Sequence, residues 1–158
     1  PTVSTVKQEV ADLLNKSELN CILVENEYDR YCAFRAAEAA IAASGTVALE
    51  LAIAKVPHIV AYKVSPLTAW LAKYLVHIQF VNLSNILLGR QIVPELLQER
   101  CEAANIEQHI DQLLQKGKLY QHQQKGVEKI CEILRTGNKT PSENACEIIL
   151  KQIKNSKK

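Results

Sequence analysis

The sequence has no methionine at all, and it opens on Pro1. Translation starts on methionine, so the chain is expected to be a portion of a longer polypeptide. A secretory leader pattern is missing as well, which agrees with a cytoplasmic setting. No apolar run approaches the roughly 20 residues that a membrane-spanning helix requires. Five cysteines, Cys21, Cys32, Cys101, Cys131 and Cys146, are odd in number and include no CxxC pair. Neither a disulfide framework nor a zinc site is indicated, and a reducing compartment fits. The four histidines, His58, His77, His109 and His122, share no short metal-binding spacing, so each reads as core or surface filling rather than as a ligand. Neither a metal nor a cofactor is expected. An excess of one charge is also lacking: Lys plus Arg number 19 against 17 Asp plus Glu, a net charge of +2. That is too little to suggest a nucleic-acid-binding surface on charge alone, and no nucleic-acid partner is expected. Internal repeats, low-complexity tracts and linkers are absent too, so residues 1–158 read as one domain.

What is present is a chain of 158 residues with 47% hydrophobic and 23% charged residues, enough to bury a core. Val6, Val10, Leu13 and Leu14 form a stripe of helical period. Cys21 to Val24 reads as a short strand and the alanine-rich run Tyr31 to Ala37 as a helix. Ala39 to Ala43 reads as a second strand, ending at Ser44-Gly45-Thr46. Val47 to Ala54 is apolar apart from Glu50, as in a helix packed tightly on a sheet. Pro57 then admits a strand from His58 to Val64. Apolar strands alternating with helices indicate a parallel sheet covered on both faces.

Beyond Pro66 the pattern predicts a helix from Leu67 to Val76 and a short strand from Gln79 to Leu83. A loop from Ser84 to Val93 and a short helix starting at Pro94 follow. Trp70, Lys73 and Tyr74 on the first of these suit either a packed helix or a peripheral membrane contact. Ile106, Ile110, Leu113 and Leu114 repeat the helical stripe before Gly117, and Val127, Ile130, Cys131 and Leu134 do so before Gly137. Thr140-Pro141-Ser142-Glu143 is a capping box with proline at the first helical position. Lys151, Lys154, Lys157 and Lys158 then cluster where a helix's negative pole lies, a solvated helix end that also suits anionic lipid.

Two segments carry candidate chemistry. A small-residue turn at the carboxyl end of a parallel strand lets backbone approach a ligand, and the helix behind it presents unpaired N–H groups to a phosphate. Ser44, Gly45 and Thr46 supply such a turn. Glu50, one helical turn on, can accept hydrogen bonds from a ribose diol. By spacing alone the same residues make an ordinary N-cap. The second segment, Asn85 to Arg90 followed by Pro94 to Gln98, brings an amide, a guanidinium and carboxylates toward one cleft. Arg90 is suited to phosphate through its planar fork, although the segment is equally a surface loop before a helix.

Taken in order, Ala43-Ser44-Gly45-Thr46-Val47-Ala48-Leu49-Glu50, the run Val56 to Thr68, Asn85 to Arg90 and Pro94-Glu95-Leu96-Leu97-Gln98 resemble the lipid-A-disaccharide synthases. The likeness is strongest from Ala42 to Gln98 and departs from the family's usual Leu-Pro-Asn at Ser84. It implies the α/β, Rossmann-like open parallel sheet of a GT-B C-terminal domain, incomplete at its N-terminal side and ending in helices. It further implies transfer of 2,3-diacylglucosamine from its UDP carrier to the 6-hydroxyl of 2,3-diacylglucosamine 1-phosphate. Ser44, Gly45 and Thr46 would then hold the diphosphate and Glu50 the ribose. Asn85, Arg90, Glu95 and Gln98 would line the cleft facing an acceptor domain.

Family members carry that acceptor domain upstream, with the general base, and a Gly-Ser-Arg phosphate loop. Neither is in this sequence, so no catalytic residue and no independent transferase activity are expected. In a whole enzyme the lipid substrates imply work at the cytoplasmic face of the inner membrane. The alternatives are another UDP-sugar GT-B transferase, such as the one that adds N-acetylglucosamine to the peptidoglycan precursor, and a non-catalytic remnant that depends on a partner chain.

Overall fold

The computed structural model describes residues 1–17, 19–43, 45–65, 79–135 and 140–155. Among them three parallel strands form an open sheet in the order β1 (Ala40–Ala42), β2 (His58–Tyr62), β3 (Glu95–Leu97). Ala40, Ile41 and Ala42 pair with His58, Ile59 and Val60, while Val60, Ala61 and Tyr62 pair with Glu95, Leu96 and Leu97. Seven α-helices accompany them: α1 (Lys7–Lys16), α2 (Glu27–Ala36), α3 (Thr46–Ile53), α4 (Leu83–Leu88), α5 (Ala103–Leu114), α6 (Lys118–Ile133) and α7 (Pro141–Asn155). Parallel strands joined through helices make the domain Rossmann-like, as the alternating pattern predicts.

The two faces of the sheet carry separate apolar clusters because side chains alternate along a strand. Val60 and Ala42 pack with Phe34 of α2, Ala48 and Leu51 of α3, Ile92, Val93 and Ile130 of α6. On the other face Ile59 and Leu96 meet Leu113 of α5, with Ile106, Ile110 and Leu119 closing round them. α6 comes so near residue 92 that a Cβ on Gly126 would lie 2.7 Å from Ile92 Cδ1. Here the absence of a side chain sets the distance between helix and sheet.

Several boundaries depart from the sequence pattern for local reasons. Cys21 to Val24 forms no strand: Ile22 is 89% exposed, and the recorded backbone tie of this stretch is Thr2 N–H to Val24 O, 2.8 Å. An apolar run becomes a strand only where a neighbouring strand offers a ladder. The strand expected from Gln79 to Leu83 and the loop expected from Ser84 are replaced by bends and then α4. Asn82 caps that helix by accepting Ser84 N–H at 2.7 Å, and Gly89 ends it in the left-handed region at φ 62°.

Pro94 does not open a helix; its carbonyl accepts Val60 N–H at 2.9 Å, so the chain enters β3 instead. A single 3₁₀ turn, Gln98–Arg100, follows. The strand at Pro57 ends at Tyr62 rather than Val64. Gly117 serves as the N-cap of α6 rather than the end of α5, which stops at Leu114. The helix expected from Leu67 to Val76, with Trp70, Lys73 and Tyr74, lies outside the described residues, as do His77 and Gly137. No helix among the described residues is long and apolar enough to cross a membrane.

The capping box at α7 is present as the sequence pattern predicts. Thr140 N–H donates to Glu143 Oε2 at 2.7 Å, and Glu143 N–H donates back to Thr140 Oγ1 at 3.3 Å. Thr140 N–H and the Thr140 hydroxyl, which donates to the same Oε2 at 3.0 Å, hold the Glu143 carboxyl below its ordinary pKa.

Candidate nucleotide site

β1 ends at Ala42, and Gly45 opens α3 with φ 131° and ψ −163°. A side chain is strained at that φ, so glycine is the residue that makes the sharp passage from strand to helix. A Cβ built there would meet nothing within 4 Å, which leaves the space above the turn open. The N-cap residue, Gly45, brings no side chain to the first turn of α3, and Thr46 beside it is exposed. Ala48, Leu51 and Ala52 are buried and hold the helix against the sheet. Ser44 lies outside the described residues.

Glu50 sits on the second turn of α3, half-buried, and its Oε2 lies 3.3 Å from Arg30 Nη2. Arg30 belongs to the first turn of α2, whose C-terminal end leads into β1. The N-terminal ends of α2 and α3 therefore meet at the carboxyl edge of the sheet, where open α/β folds bind their ligands. The sequence pattern singled out Glu50 but not Arg30, because nothing in the local sequence of α2 ties it to a residue 20 positions later. Beside this turn a cavity of about 360 Å³ is lined by Ala33, Phe34, Ala37, Ile41, Ala43 and Val47, among others. A larger one of about 420 Å³, between α1 and residues 19–23, has no charged lining residue.

The second segment is arranged differently from a simple cleft wall. Asn85 is fully buried: Oδ1 accepts Ile92 N–H at 2.8 Å and Val93 N–H at 2.9 Å, while Nδ2 donates to Val93 O at 2.9 Å and Glu95 Oε1 at 2.7 Å. Glu95, 7% exposed, also accepts Val81 N–H at 3.0 Å and Asn82 N–H at 3.1 Å. Asn85 and Glu95 thus fold residues 81–95 around themselves from inside. Four bonds fill the hydrogen-bonding capacity of the Asn85 side chain.

Gln98, at φ 50°, faces Val64 with its side-chain amide, whose oxygen accepts the N–H of that residue at 3.3 Å and whose nitrogen donates to its carbonyl at 3.2 Å. The end of β3 is thereby tied to the segment following β2. Arg90 follows Gly89 and is exposed, with no ion pair among the described residues. Of the four residues in the second segment, Arg90 alone presents a charged group to solvent.

One buried group escaped the sequence reading as a structural device. His58, at the start of β2, is fully buried, and its Nδ1 lies 2.9 Å from Val56 O. Loss of hydration lowers its pKa, and the bond to Val56 offsets part of that. Its backbone N–H donates to Gln123 Oε1 at 2.7 Å, and its carbonyl accepts Gln123 Nε2 at 2.8 Å. Gln123 of α6 bonds the edge of β2 as a neighbouring strand would.

A parallel sheet with a glycine turn at its carboxyl edge and the N-terminus of a helix behind it defines the class: a Rossmann-like domain with a candidate anion-binding edge. The profile of the lipid-A-disaccharide synthetase family matches residues 1–149, and the chain belongs to that family. It is 40% identical over 153 residues to the lipid-A-disaccharide synthase of Rhodospirillum centenum, covering 97% of this chain and 38% of that protein. The enzyme of the same name from Paramagnetospirillum magneticum is 37% identical over 159 residues, covering 99% and 40%. That from Nitrobacter hamburgensis is 38% identical over 128 residues, covering 81% and 32%. The chain therefore spans about two fifths of the length of the first two relatives.

Proposed function

We propose that this chain forms the donor-nucleotide half of a GT-B glycosyltransferase that acts in lipid A synthesis. The donor is UDP-2,3-diacylglucosamine, the acceptor is 2,3-diacylglucosamine 1-phosphate, and UDP is released. The observation that carries the reading is the Gly45 turn, which sets the N-terminus of α3 at the carboxyl edge of a parallel sheet with Glu50 one turn behind. The amides of α3, with the hydroxyls of Ser44 and Thr46, bind the diphosphate, and Glu50 accepts from the ribose. As the glycosidic bond breaks, negative charge builds on the departing diphosphate. Fixed N–H dipoles stabilise that charge more in the transition state than in the ground state, without a metal.

Arg90 contributes its guanidinium to the cleft from the second segment. Asn85, Glu95 and Gln98 shape the cleft from behind by fixing the course of residues 81–98. The general base and the acceptor site belong to a further domain of the enzyme, and the lipid substrates put the work at the cytoplasmic face of the inner membrane. This chain by itself is expected to turn over no substrate.

Calorimetric titration with UDP, run on this chain and on a polypeptide extended upstream, tests the proposal. Binding by either keeps the nucleotide site, and binding by the longer one alone locates the remaining contacts upstream. Should neither take up UDP, the assignment of residues 44–50 is lost.

A further inference from the structure

We infer that Arg30 is a positioning residue for ribose recognition, holding Glu50 in the orientation that meets a nucleotide's diol. The inference rests on the proposed nucleotide site and adds a residue to it. Arg30 reaches from α2 to place Nη2 3.3 Å from Glu50 Oε2, while Glu27 Oε1 lies farther off at 3.9 Å. Its guanidinium stands over the Tyr31 ring, 5.4 Å from the centroid, which limits the directions it can take. Both side chains are mostly covered, at 29% and 26% exposure.

The pairing is polarised within the carboxylate. Oε2 is buried and makes its approach to Arg30 alone, with no hydrogen bond of good geometry. The Glu50 side chain keeps 26% of its surface exposed, and none of the described residues donates a hydrogen bond to Oε1. One oxygen is thus held inward by charge, and the other is left to accept from outside. A lone glutamate on a helix samples several rotamers, and fixing one of them removes an entropic cost from binding. Arg30 itself keeps Nε buried and unbonded, so its guanidinium is not saturated by protein groups.

A merely structural pair would dock α2 on α3 and leave ligand selectivity untouched. Titration of UDP and of 2′,3′-dideoxy-UDP against the wild type, Arg30→Ala, Arg30→Lys and Glu50→Gln separates the two roles. The polypeptide used is whichever of the two above binds UDP. In the wild type UDP should bind more tightly than the dideoxy nucleotide. Arg30→Ala should lower UDP affinity by about three- to tenfold, as expected for weakening a hydrogen bond to a charged group, while leaving the dideoxy nucleotide unchanged. Arg30→Lys should restore part of the loss, and Glu50→Gln should abolish the preference.

Retained ribose preference in Arg30→Ala overturns the role of Arg30 alone. Equal weakening of both nucleotides, with a lowered melting temperature, also overturns it and assigns the pair to helix docking. If the wild type shows no ribose preference, or no UDP binding, the reading of Glu50 falls first and that of Arg30 with it.

Discussion

The centre of the molecule and its outer helices are built from similar sequence patterns but have opposite fates. α5 and α6 bury Leu113, Val127 and Ile130 completely. α1 has the same kind of apolar stripe and buries nothing. α7 carries Ile148, Ile149 and Ile153 at 63, 58 and 49% exposure. Helical periodicity therefore specifies a face, and a partner surface is needed before that face contributes to stability. Between β2, β3, α4 and α6 the partner surface is more than apolar: buried polar side chains, Asn85, Glu95 and Gln123 among them, bond to main chain there. Around α1 and α7 stand the Thr140–Glu143 cap and exposed ion pairs such as Lys7 Nζ to Glu25 Oε1 at 3.1 Å.

The sharpest way to break the comparison is Asn85→Ala. It would leave Ile92 and Val93 N–H, Val93 O and part of the Glu95 carboxylate without partners in the interior, and we expect a loss of about 3 kcal/mol or more in urea unfolding. A loss under about 0.5 kcal/mol, the size of an ordinary surface change, would show that the network is not what organises the centre. Gly126→Ala comes next. The new methyl would meet the buried Ile92 side chain, at a cost of about 1–3 kcal/mol, set against about 1 kcal/mol gained in helix propensity. Its urea midpoint should fall, whereas a rise would mean that α6 can step back from the sheet.

The pH dependence should come third. His58 has a folded-state pKa below its unfolded value of about 6.5, so the unfolded chain binds its proton more readily. The stability His58 contributes is full above that unfolded value and is lost as pH falls through the folded one. Thermal melting from pH 7.5 to 5 should show a decline that His58→Asn reduces; an unchanged slope in the variant would place the sensitivity elsewhere. The smallest effect belongs to the outer region. Thr140→Ala should fray α7 and lower far-UV ellipticity while the cooperative urea midpoint stays where it is. A shifted midpoint would mean that α7 belongs to the cooperative unit after all.

The sequence was most legible where one signal sufficed. The Gly45 turn, the strand read at Ala39 to Ala43 and formed at Ala40–Ala42, the helix behind it and the Thr140 cap each depend on residues within a few positions. Residues 79–98 were read least well. β3 has three residues and begins with a glutamate, so its pattern is too short to compete with the proline beside it. Its register is set by Val60 across the sheet and by Asn85 inside, neither of which has a local signature. For the same reason Asn85 and Glu95, visible as polar residues in a candidate loop, gave no hint that they were interior. Arg30 was missed because its partner lies on another helix.

The amide of Gln123 also bears on the order in which the domain assembles. It bonds both main-chain groups of a residue 65 positions earlier in the chain, on the edge of β2 that β3 leaves open at that level. During synthesis β2 can pair with β1 long before α6 has been made, yet both main-chain groups of its first residue lack their protein partner until that helix docks. Closing so distant a contact comes late and at high entropic cost. The amide proton of His58 is accordingly a reporter of completion: its protection from exchange marks the moment at which helix and sheet become a single cooperative unit.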